Sequence, residues 1–250
     1  MAYIKDEEKQ SEKYWLNTEK SDDNQTIAKL TTDNVAKALA MIKYNSAYNK
    51  ALDASQGPSG KYIGSSAYWC EQLKKLINDK KTDNNYSDII ENIIKSINNE
   101  NSTHLNSDGV GFARVKYRIL NAYKTPQLLI DALKNIDSLE LFNLIAYPKA
   151  DDANKTENNH PSFASKFCHY LAFNIFEEEE KKDSYVIYDE VIRTALPMYV
   201  KRFLGKNVSK KDYEGKDTYK KYREDIMAIA KMNNISNNGF DQLVWYFHKS

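Results

Sequence analysis

The amino-acid sequence predicts an all-α protein, and three observations support this fold class. Apolar residues recur at spacings of three and four along most of the 250-residue chain, as in helices with one buried face. Serine, threonine and proline stand where several of these periodic stretches begin, as they do at helix N-termini. No stretch has the regular alternation of apolar and polar residues that predicts a strand with confidence.

The first part of the chain contains two predicted helices separated by a polar segment. One helix is expected near Glu7–Leu16, and residues 17–26 (NTEKSDDNQT) are expected to form an exposed loop. Thr32 can cap a longer helix that extends to about Ala54. Residues 56–60 (QGPSG) then interrupt it, since proline and glycine together break helices.

Two further helices are predicted to begin at Ser65 or Ser66 and at Ser87. The polar residues 98–109 (NNENSTHLNSDG) follow the second of them and separate it from the middle of the chain. Five isoleucines at helical spacing form a stripe on this second helix that we assign to the core: Ile89, Ile90, Ile93, Ile94 and Ile97.

The middle of the chain continues the helical pattern. A helix is predicted over Phe112–Tyr123, and its Arg114, Lys116 and Arg118 are expected to form a solvated face. Thr125-Pro126 is a strong helix start, with a capping threonine followed by proline at the first helical position. A further helix over Ser138–Tyr147 is expected to stop at Pro148.

Residues 163–176 (FASKFCHYLAFNIF) form a predicted helix that is apolar on nearly every side but contains Lys166. Three aromatic residues share the face of the lysine, at i−3, i+4 and i+7: Phe163, Tyr170 and Phe173. We expect these rings to exclude water from the amine, which favours its neutral form and lowers its pKa. A neutral amine is a nucleophile, whereas an ammonium ion is not.

A second ionisable residue, Asp189, follows the short apolar run 185–188 (YVIY). Aspartate is a favoured N-cap residue, and residues 190–199 (EVIRTALPMY) are predicted to be helical. A carboxylate in this place could take the proton of an amine or stabilise a cation. Both residues also have an ordinary interpretation, because helix lysines are commonly solvated and aspartates commonly serve only as caps.

The order of these features resembles the helix-hairpin-helix DNA glycosylase superfamily. A hairpin, a helix with a lysine, a connection, and an apolar run that ends in aspartate at a helix start follow one another within residues 105–250. The segments SFASKF and YVIYDEVIRTAL, which contain Lys166 and Asp189, are most similar to a prokaryotic branch with an 8-oxoguanine DNA glycosylase-like fold. The resemblance implies a two-lobed helical glycosylase fold that contains a helix-hairpin-helix element.

The resemblance also implies how the chain is divided and what its residues do. The whole of 1–250 would form one glycosylase unit, with residues 1–104 and 201–250 in a first lobe and 105–200 in a second. Lys166 would attack the sugar at C1′ and form a Schiff base that permits strand cleavage, and Asp189 would assist. The implied partner is DNA that carries a modified base, the expected state is a monomer, and neither a metal nor an organic cofactor is expected.

The chain departs from the family pattern around the lysine helix. The usual hairpin carries Gly-x-Gly, whose amides approach a DNA phosphate, whereas His160, Pro161, Ser162 and Phe163 stand at the corresponding place. His160 and Ser162 are our candidates for this contact with the DNA backbone, and Ser162 can also cap the helix. Residues 177–183 (EEEEKKD) have the character of a surface insertion.

Residues 201–223 contain nine basic and three acidic side chains, in a chain whose net charge is only +1. Such a run is commonly a solvated surface, but beside a DNA cleft it would neutralise phosphates and release counterions. Its candidate DNA-backbone residues are Lys201, Arg202, Lys210 and Lys211.

The last predicted helix starts after a cap at Ser236 or Asn237 and is rich in aromatic residues. Phe240 and either Trp245 or Phe247 are assigned to the core. In the resembled family this helix begins with glycine and brings a glutamine and an aromatic residue to the extruded base. Relative to Gly239 those places are taken by Gln242 and Tyr246, and we include Asp241, expected to be partly exposed, and Phe163 among the candidate base-binding residues.

Composition excludes several classes of protein. Hydrophobic residues make up 41% of the chain, which is enough for a core, and no run of eighteen apolar residues predicts a membrane span. Cys70 and Cys168 are too few for a disulfide framework or a four-cysteine iron–sulfur cluster. The charged N-terminus lacks the apolar core of a signal peptide, so a cytoplasmic protein is expected.

Two alternatives to 8-oxoguanine excision stay open from the sequence. The substrate base could be a modified cytosine of phage DNA, which would make the protein part of an antiviral defence. The chain could instead be a helical DNA-binding or partner-binding protein without catalysis, in which Lys166 has a structural role. Only an enzyme that passes through an imine can be trapped on abasic DNA with borohydride, so trapping separates these classes.

Overall fold

A computed structural model of the protein describes residues 15–44, 65–78, 85–101, 103, 105, 111–147 and 159–249. The predicted helix at Glu7–Leu16 lies largely outside these ranges. So do the far end of the helix expected to reach Ala54, the break at residues 56–60 and the stop at Pro148.

The described residues are mostly helical, as expected for an all-α protein. The helices in chain order are α1 (Thr32–Tyr44), α2 (Ser66–Asn78), α3 (Tyr86–Asn101), α4 (Gly111–Ala122), α5 (Pro126–Lys134), α6 (Glu140–Ala146), α7 (Pro161–Ile175), α8 (Glu179–Lys182), α9 (Glu190–Leu204), α10 (Tyr219–Met232) and α11 (Asn237–His248), with a 3₁₀ turn at Lys210–Tyr213.

The segment 17–26 is not the plain loop that the sequence predicted. Strands β1 (Thr18–Lys20) and β2 (Thr26–Ala28) pair antiparallel, with Glu19 opposite Ile27. The connecting residues include Asn24 in the left-handed region at φ 58°, which asparagine tolerates better than most residues. Three-residue strands are too short to show the alternation on which the prediction relied.

Several predicted helix starts are confirmed. The Thr125 hydroxyl accepts a hydrogen bond from the Leu128 amide, and Pro126 is the first residue of α5. The Ser236 hydroxyl accepts from the Gly239 amide at 2.9 Å and caps α11. Gly239 is required there, because a Cβ atom would stand 2.9 Å from that hydroxyl and 3.0 Å from Val35.

The chain forms two compact units. The terminal unit comprises residues 1–46 and 189–250, and the central unit comprises residues 47–188. These boundaries differ from the lobes expected from the sequence, because α2 and α3 pack against α7 inside the central unit. Helix α9 belongs instead to the terminal unit, which begins again at Asp189.

The core of the terminal unit is organised around Tyr199 of α9. Its ring is fully buried and packs edge-to-face on Phe240 of α11. Its hydroxyl accepts from the Ala28 amide at 3.1 Å, which ties strand β2 to α9. Asn34 is also fully buried, and its side-chain amide donates to the carbonyls of Asn17 and Lys29.

The central unit buries the predicted isoleucine stripe of α3, which confirms its assignment to the core. Tyrosine hydroxyls satisfy backbone carbonyls within this core. Tyr86 donates to the carbonyl of Tyr123, and Tyr185 donates to the carbonyl of Leu133, both at 3.0 Å. Each bond pairs a buried polar group that would otherwise be costly to remove from water.

In the part of the chain that the structure describes, the helices are too short or too polar to cross a membrane.

Candidate functional site

Lys166 is buried in α7, a helix whose residues from Phe163 to Ala172 are almost all inaccessible to solvent. Only 8% of the lysine is exposed. Its Nζ donates to the Ser162 hydroxyl, one turn earlier in the helix, at 3.4 Å. A lysine that is this deeply buried is unusual, since the long side chain ordinarily carries its ammonium group to water.

The rings around Lys166 are arranged differently from the prediction. Phe163 is buried as expected, and Tyr170 is half-buried with its hydroxyl donating to Asn101. Phe173, however, is 46% exposed and stacks on His169 at 6.0 Å between ring centroids. The prediction that three rings cover the lysine is therefore wrong for Phe173. The face of α7 that carries Lys166 becomes exposed towards the end of the helix, although Ala172 and Ile175 on other faces stay buried.

The start of α7 also corrects a prediction. His160 is the N-cap residue and makes no side-chain capping bond, while Pro161 is the first helical residue. Ser162 therefore lies inside the first turn and does not cap the helix; its hydroxyl meets Lys166 instead. The His160 amide donates to the carbonyl of Ala146 at 2.9 Å, which joins this helix start to the end of α6. The residues predicted to stand at the hairpin, His160 to Phe163, thus form the N-cap and first turn of α7. Residues 148–158, most of the loop predicted to lead into the hairpin, lie outside the described ranges.

Two residues that flank Lys166 hold the apolar run before Asp189. The Ser165 hydroxyl accepts from the amide of Tyr188 at 2.9 Å, and Nδ1 of His169 lies 2.8 Å from the carbonyl of Tyr185. A carbonyl only accepts, so Nδ1 carries the proton. Sequence analysis missed both residues, because their partners lie 16 and 23 residues away and no local pattern indicates such bonds.

Burial lowers the pKa of His169, although its bond to the Tyr185 carbonyl opposes this shift. The folded protein thus keeps the ring neutral where the unfolded chain, with a pKa of about 6.5, takes up a proton. We expect the free energy of unfolding to fall as the pH drops below about 6.5, by up to about 1.4 kcal/mol per pH unit. Urea denaturation at several pH values from 7.5 to 5 measures this change in the free energy of unfolding.

The matched variant for this prediction is His169→Asn, whose side-chain amide can still donate near the position of Nδ1. This variant should be less stable at neutral pH but should lose the acid-dependent decline. If the wild type and the variant instead differ by a constant amount across the whole range, His169 is not the titrating group.

Asp189 caps α9, as predicted. Its Oδ1 accepts from the amide of Val191 at 2.8 Å, and its backbone is extended, as an N-cap residue requires. The preceding residues 185–188 are buried, also as predicted, whereas the Asp189 side chain is half-exposed. The hydrogen bond to Oδ1 thus fixes the orientation of the carboxylate, and the residue stays partly accessible to solvent.

A fully buried tyrosine of α10, Tyr222, lies beside two candidate residues of the terminal unit. Its pKa is well above the usual range, first because of burial and further because the carboxylates of Asp241 and Asp189 oppose a phenolate. A hydrogen bond from the backbone of Asp189 acts in the opposite direction. The structure therefore brings Asp189 and Asp241 close to one phenol, an arrangement that the sequence did not predict.

Helix α11 places the candidate base-binding residues differently from the prediction in one respect. Gln242 and Tyr246 are half-buried and four residues apart, and so share one face of the helix. Asp241, expected to be partly exposed, is only 5% exposed because α11 packs against α9 and α10. Phe240 is core as predicted, whereas Trp245 and Phe247, one of which was also assigned to the core, are both half-buried. Trp245 holds the Lys249 ammonium 3.9 Å from its ring centroid.

Most of the basic residues at 201–223 are paired within the terminal unit. Lys201 bonds Asp23, and Arg202 lies within 3.7 Å of carboxylates of Glu19 and Asp22. The other ion pairs of the segment are Lys206 with the buried Asp225, Lys210 with Glu190 and Glu214, Lys220 with Glu224, and Lys221 with Asp212. The strong positive excess expected from the local sequence is therefore largely compensated by acids from elsewhere in the chain.

Lys210 and Lys211 are neighbours in the 3₁₀ turn, and they differ in whether they form an ion pair. The hydrogen bond and charge of Glu190 raise the pKa of Lys210, whereas the exposed Lys211 makes no ion pair with any of the residues described. If this turn contacts DNA, Lys211→Gln should reduce the slope of log affinity against log salt by about 0.9. Lys210→Gln is the matched control and should change the slope less. Equal slopes for both variants and the wild type would show that the turn does not touch phosphates.

The other nucleophile candidates are weaker. Cys70 and Cys168 are both free and fully buried, and burial raises the pKa of each thiol, so neither presents a reactive thiolate. The described residues contain no cluster of three or more His, Cys, Asp or Glu side chains placed to hold a metal ion. Of the predicted catalytic pair, Lys166 belongs to the central unit and Asp189 to the terminal unit. Comparison of the chain with models of protein families, with curated proteins and with solved structures found no match.

Proposed function

We propose that this protein is a DNA glycosylase with AP-lyase activity, which excises a modified base through a lysine Schiff base. The observation that carries the proposal is the burial of Lys166 on an apolar helix, where its amine meets a neutral hydroxyl. Burial disfavours a charged amine, and it is the neutral amine that attacks carbon. The resemblance of the segments around Lys166 and Asp189 to helix-hairpin-helix glycosylases supports the same chemistry.

In the proposed reaction, Lys166 is the nucleophile. The target nucleotide must leave the base stack, because C1′ cannot be reached inside a duplex. The amine of Lys166 then forms a bond to C1′, and the bond between C1′ and the base breaks, so that the base leaves with the electron pair. Loss of a proton from nitrogen and opening of the sugar ring give the imine, from which the 3′-phosphate can be eliminated.

Asp189 supports this step electrostatically. Positive charge develops on the sugar as the base leaves, and a carboxylate near that charge lowers the barrier. The hydrogen bond from the Val191 amide occupies Oδ1 of Asp189. The resemblance implies that the carboxylate assists the lysine, and its other oxygen would accept the proton that the amine releases. Its place as a helix cap fixes the carboxylate before substrate arrives.

The resemblance to 8-oxoguanine glycosylases makes 8-oxoguanine the first candidate for the excised base. A modified cytosine of phage DNA is the other candidate substrate. The direct test incubates the protein with duplexes that each carry one modified base, and measures base release and strand scission separately. Borohydride should link the protein covalently to the duplex that serves as substrate and to abasic DNA. A protein that binds these duplexes without base release or adduct is a binding protein, and the proposal fails.

Gln242 and Tyr246 are assigned to the recognition of the extruded base. An amide can both donate and accept along a base edge, and a ring four residues later can stack on its face. Gln242→Ala should weaken use of the true substrate by about 0.5–1.5 kcal/mol, and Tyr246→Ala by about 1–3 kcal/mol. Cleavage of an abasic site, which presents no base edge, should be almost unchanged in both variants.

Thermal melting of the same variants provides the necessary comparison, and Gln127→Ala, at an exposed glutamine of α5, is the matched control. If the two residues only pack α11 against its neighbours, both variants will melt at lower temperature and lose base excision and abasic-site cleavage together. That parallel loss would rule out the recognition role.

A further inference from the structure

A groove in the central unit, formed by α3 and α4, has the features of a second ligand site. It is an open groove with a volume of about 440 Å³, which is within the usual range of small-molecule sites. Phe112, Ala113 and Leu120, all on α4, provide most of its apolar lining. All of its lining residues belong to the central unit, whereas Gln242 and Tyr246 belong to the terminal unit.

The side wall of the groove is an aromatic ring that the fold leaves largely uncovered. Tyr117 is 68% exposed, although it lies on the same helix as the buried Val115 and Ile119. A tyrosine that is exposed to this extent contributes little to the core, and a ligand can reach it from solvent. Flat aromatic rings, including nucleobases, stack favourably on such surfaces.

The rim of the groove carries a compact group of charges. Glu91 of α3 accepts hydrogen bonds from Lys95, one turn later, and from Lys116 of α4. These two lysines hold the pKa of Glu91 below its usual range, so the carboxylate stays ionised at neutral pH. Two ammonium groups and one carboxylate leave the rim with a charge of +1, and each ammonium has N–H donors beyond the one given to Glu91.

We propose that this groove binds one nucleotide of single-stranded DNA, with the base against Tyr117 and the phosphate at Lys95 and Lys116. An apolar lining with an aromatic wall suits a base, and a rim of net positive charge suits a phosphodiester that carries a single negative charge. The match to a base joined to a phosphate comes from the groove itself. The choice of a DNA strand as its source rests on the proposed function.

The test measures binding of the full-length protein to an unmodified single-stranded oligonucleotide by fluorescence anisotropy. Tyr117→Ala should weaken binding by about 5- to 150-fold, while Tyr117→Phe, which keeps the ring, should bind as the wild type does. Tyr68→Ala, at another exposed tyrosine of the central unit, is the matched control and should have no effect. Lys116→Gln should reduce the salt slope by about 0.7, the value for one phosphate of a single strand.

Two further probes decide what the groove takes. An oligomer of the same length made of abasic sugar phosphates should bind weakly and should not distinguish Tyr117→Ala from the wild type. Equal binding of this oligomer and the base-containing strand, or unchanged binding by Tyr117→Ala, overturns the proposal. Deoxyadenosine monophosphate that binds as tightly as the strand would show a site for free nucleotides and overturn the assignment to DNA. Since the probe strand carries no modified base, failure of the glycosylase proposal would appear in the trapping assay and not in this one.

Discussion

Replacement of Lys166 by glutamine should abolish the borohydride-stable adduct and reduce base release by at least about a thousandfold. Glutamine is close to lysine in length and polar, but its amide nitrogen cannot attack C1′, and no other group replaces a lost covalent nucleophile. Single-turnover base release and adduct formation on the same substrate measure both effects.

The variant should fold, and its stability offers an independent check. Burying a polar amine costs free energy that an apolar side chain of similar length does not, so Lys166→Met should melt at the same or a higher temperature than the wild type. Loss of activity without loss of stability separates a chemical role from a structural one. Lys134→Gln, at a surface lysine paired with Asp131, is the control and should be fully active. Adduct formation by Lys166→Gln at the wild-type rate would assign the chemistry to another amine.

Signals confined to a few neighbouring residues predicted the structure well. The Thr125 cap followed by proline, the Ser236 cap and the Asp189 cap each depend on a side chain and an amide two or three residues away. The isoleucine stripe of α3 depends on helical periodicity alone. Local chemistry determines these features, so the sequence is sufficient to predict them.

Features that depend on distant residues were not predicted. The charge excess of the basic segment was counted within residues 201–223, whereas its compensating carboxylates include Asp23, 178 residues away from Lys201. The bond between Ser165 and Tyr188 spans 23 residues, and the approach of Asp241 to Tyr222 requires two helices to pack. Only the folded chain brings such partners together.

For Lys166, one feature was predicted from the local sequence and another was not. Its burial followed from the apolar character of α7, which the sequence displays on nearly every face of the helix. The covering of the lysine by Phe173 did not follow, because periodicity assigns a residue to a face and does not say where along its length that face leaves the core. The candidate nucleophile could therefore be selected from sequence, but its surroundings could not.

Asp189→Asn should lower the single-turnover rate of base release by about a hundredfold or more. The substitution is nearly isosteric and removes only the charge that stabilises the developing cation and accepts the proton of the amine. Asparagine is as good an N-cap as aspartate, so its side-chain oxygen should still accept from the Val191 amide. The free energy of unfolding should then change by less than about 1 kcal/mol.

Two further variants separate the charge from the cap. Asp189→Ala loses both and should also be destabilised by about 0.5–2 kcal/mol, the usual cost of removing an N-cap. Glu190→Gln removes a neighbouring carboxylate that pairs with Lys210 and Arg193 on the surface, and it should leave the rate of base release unchanged. If Asp189→Asn releases the base at the wild-type rate while Asp189→Ala is merely less stable, Asp189 is a helix cap and nothing more. A large loss in Asp189→Asn at unchanged stability, with Glu190→Gln unaffected, can only come from the charge at position 189.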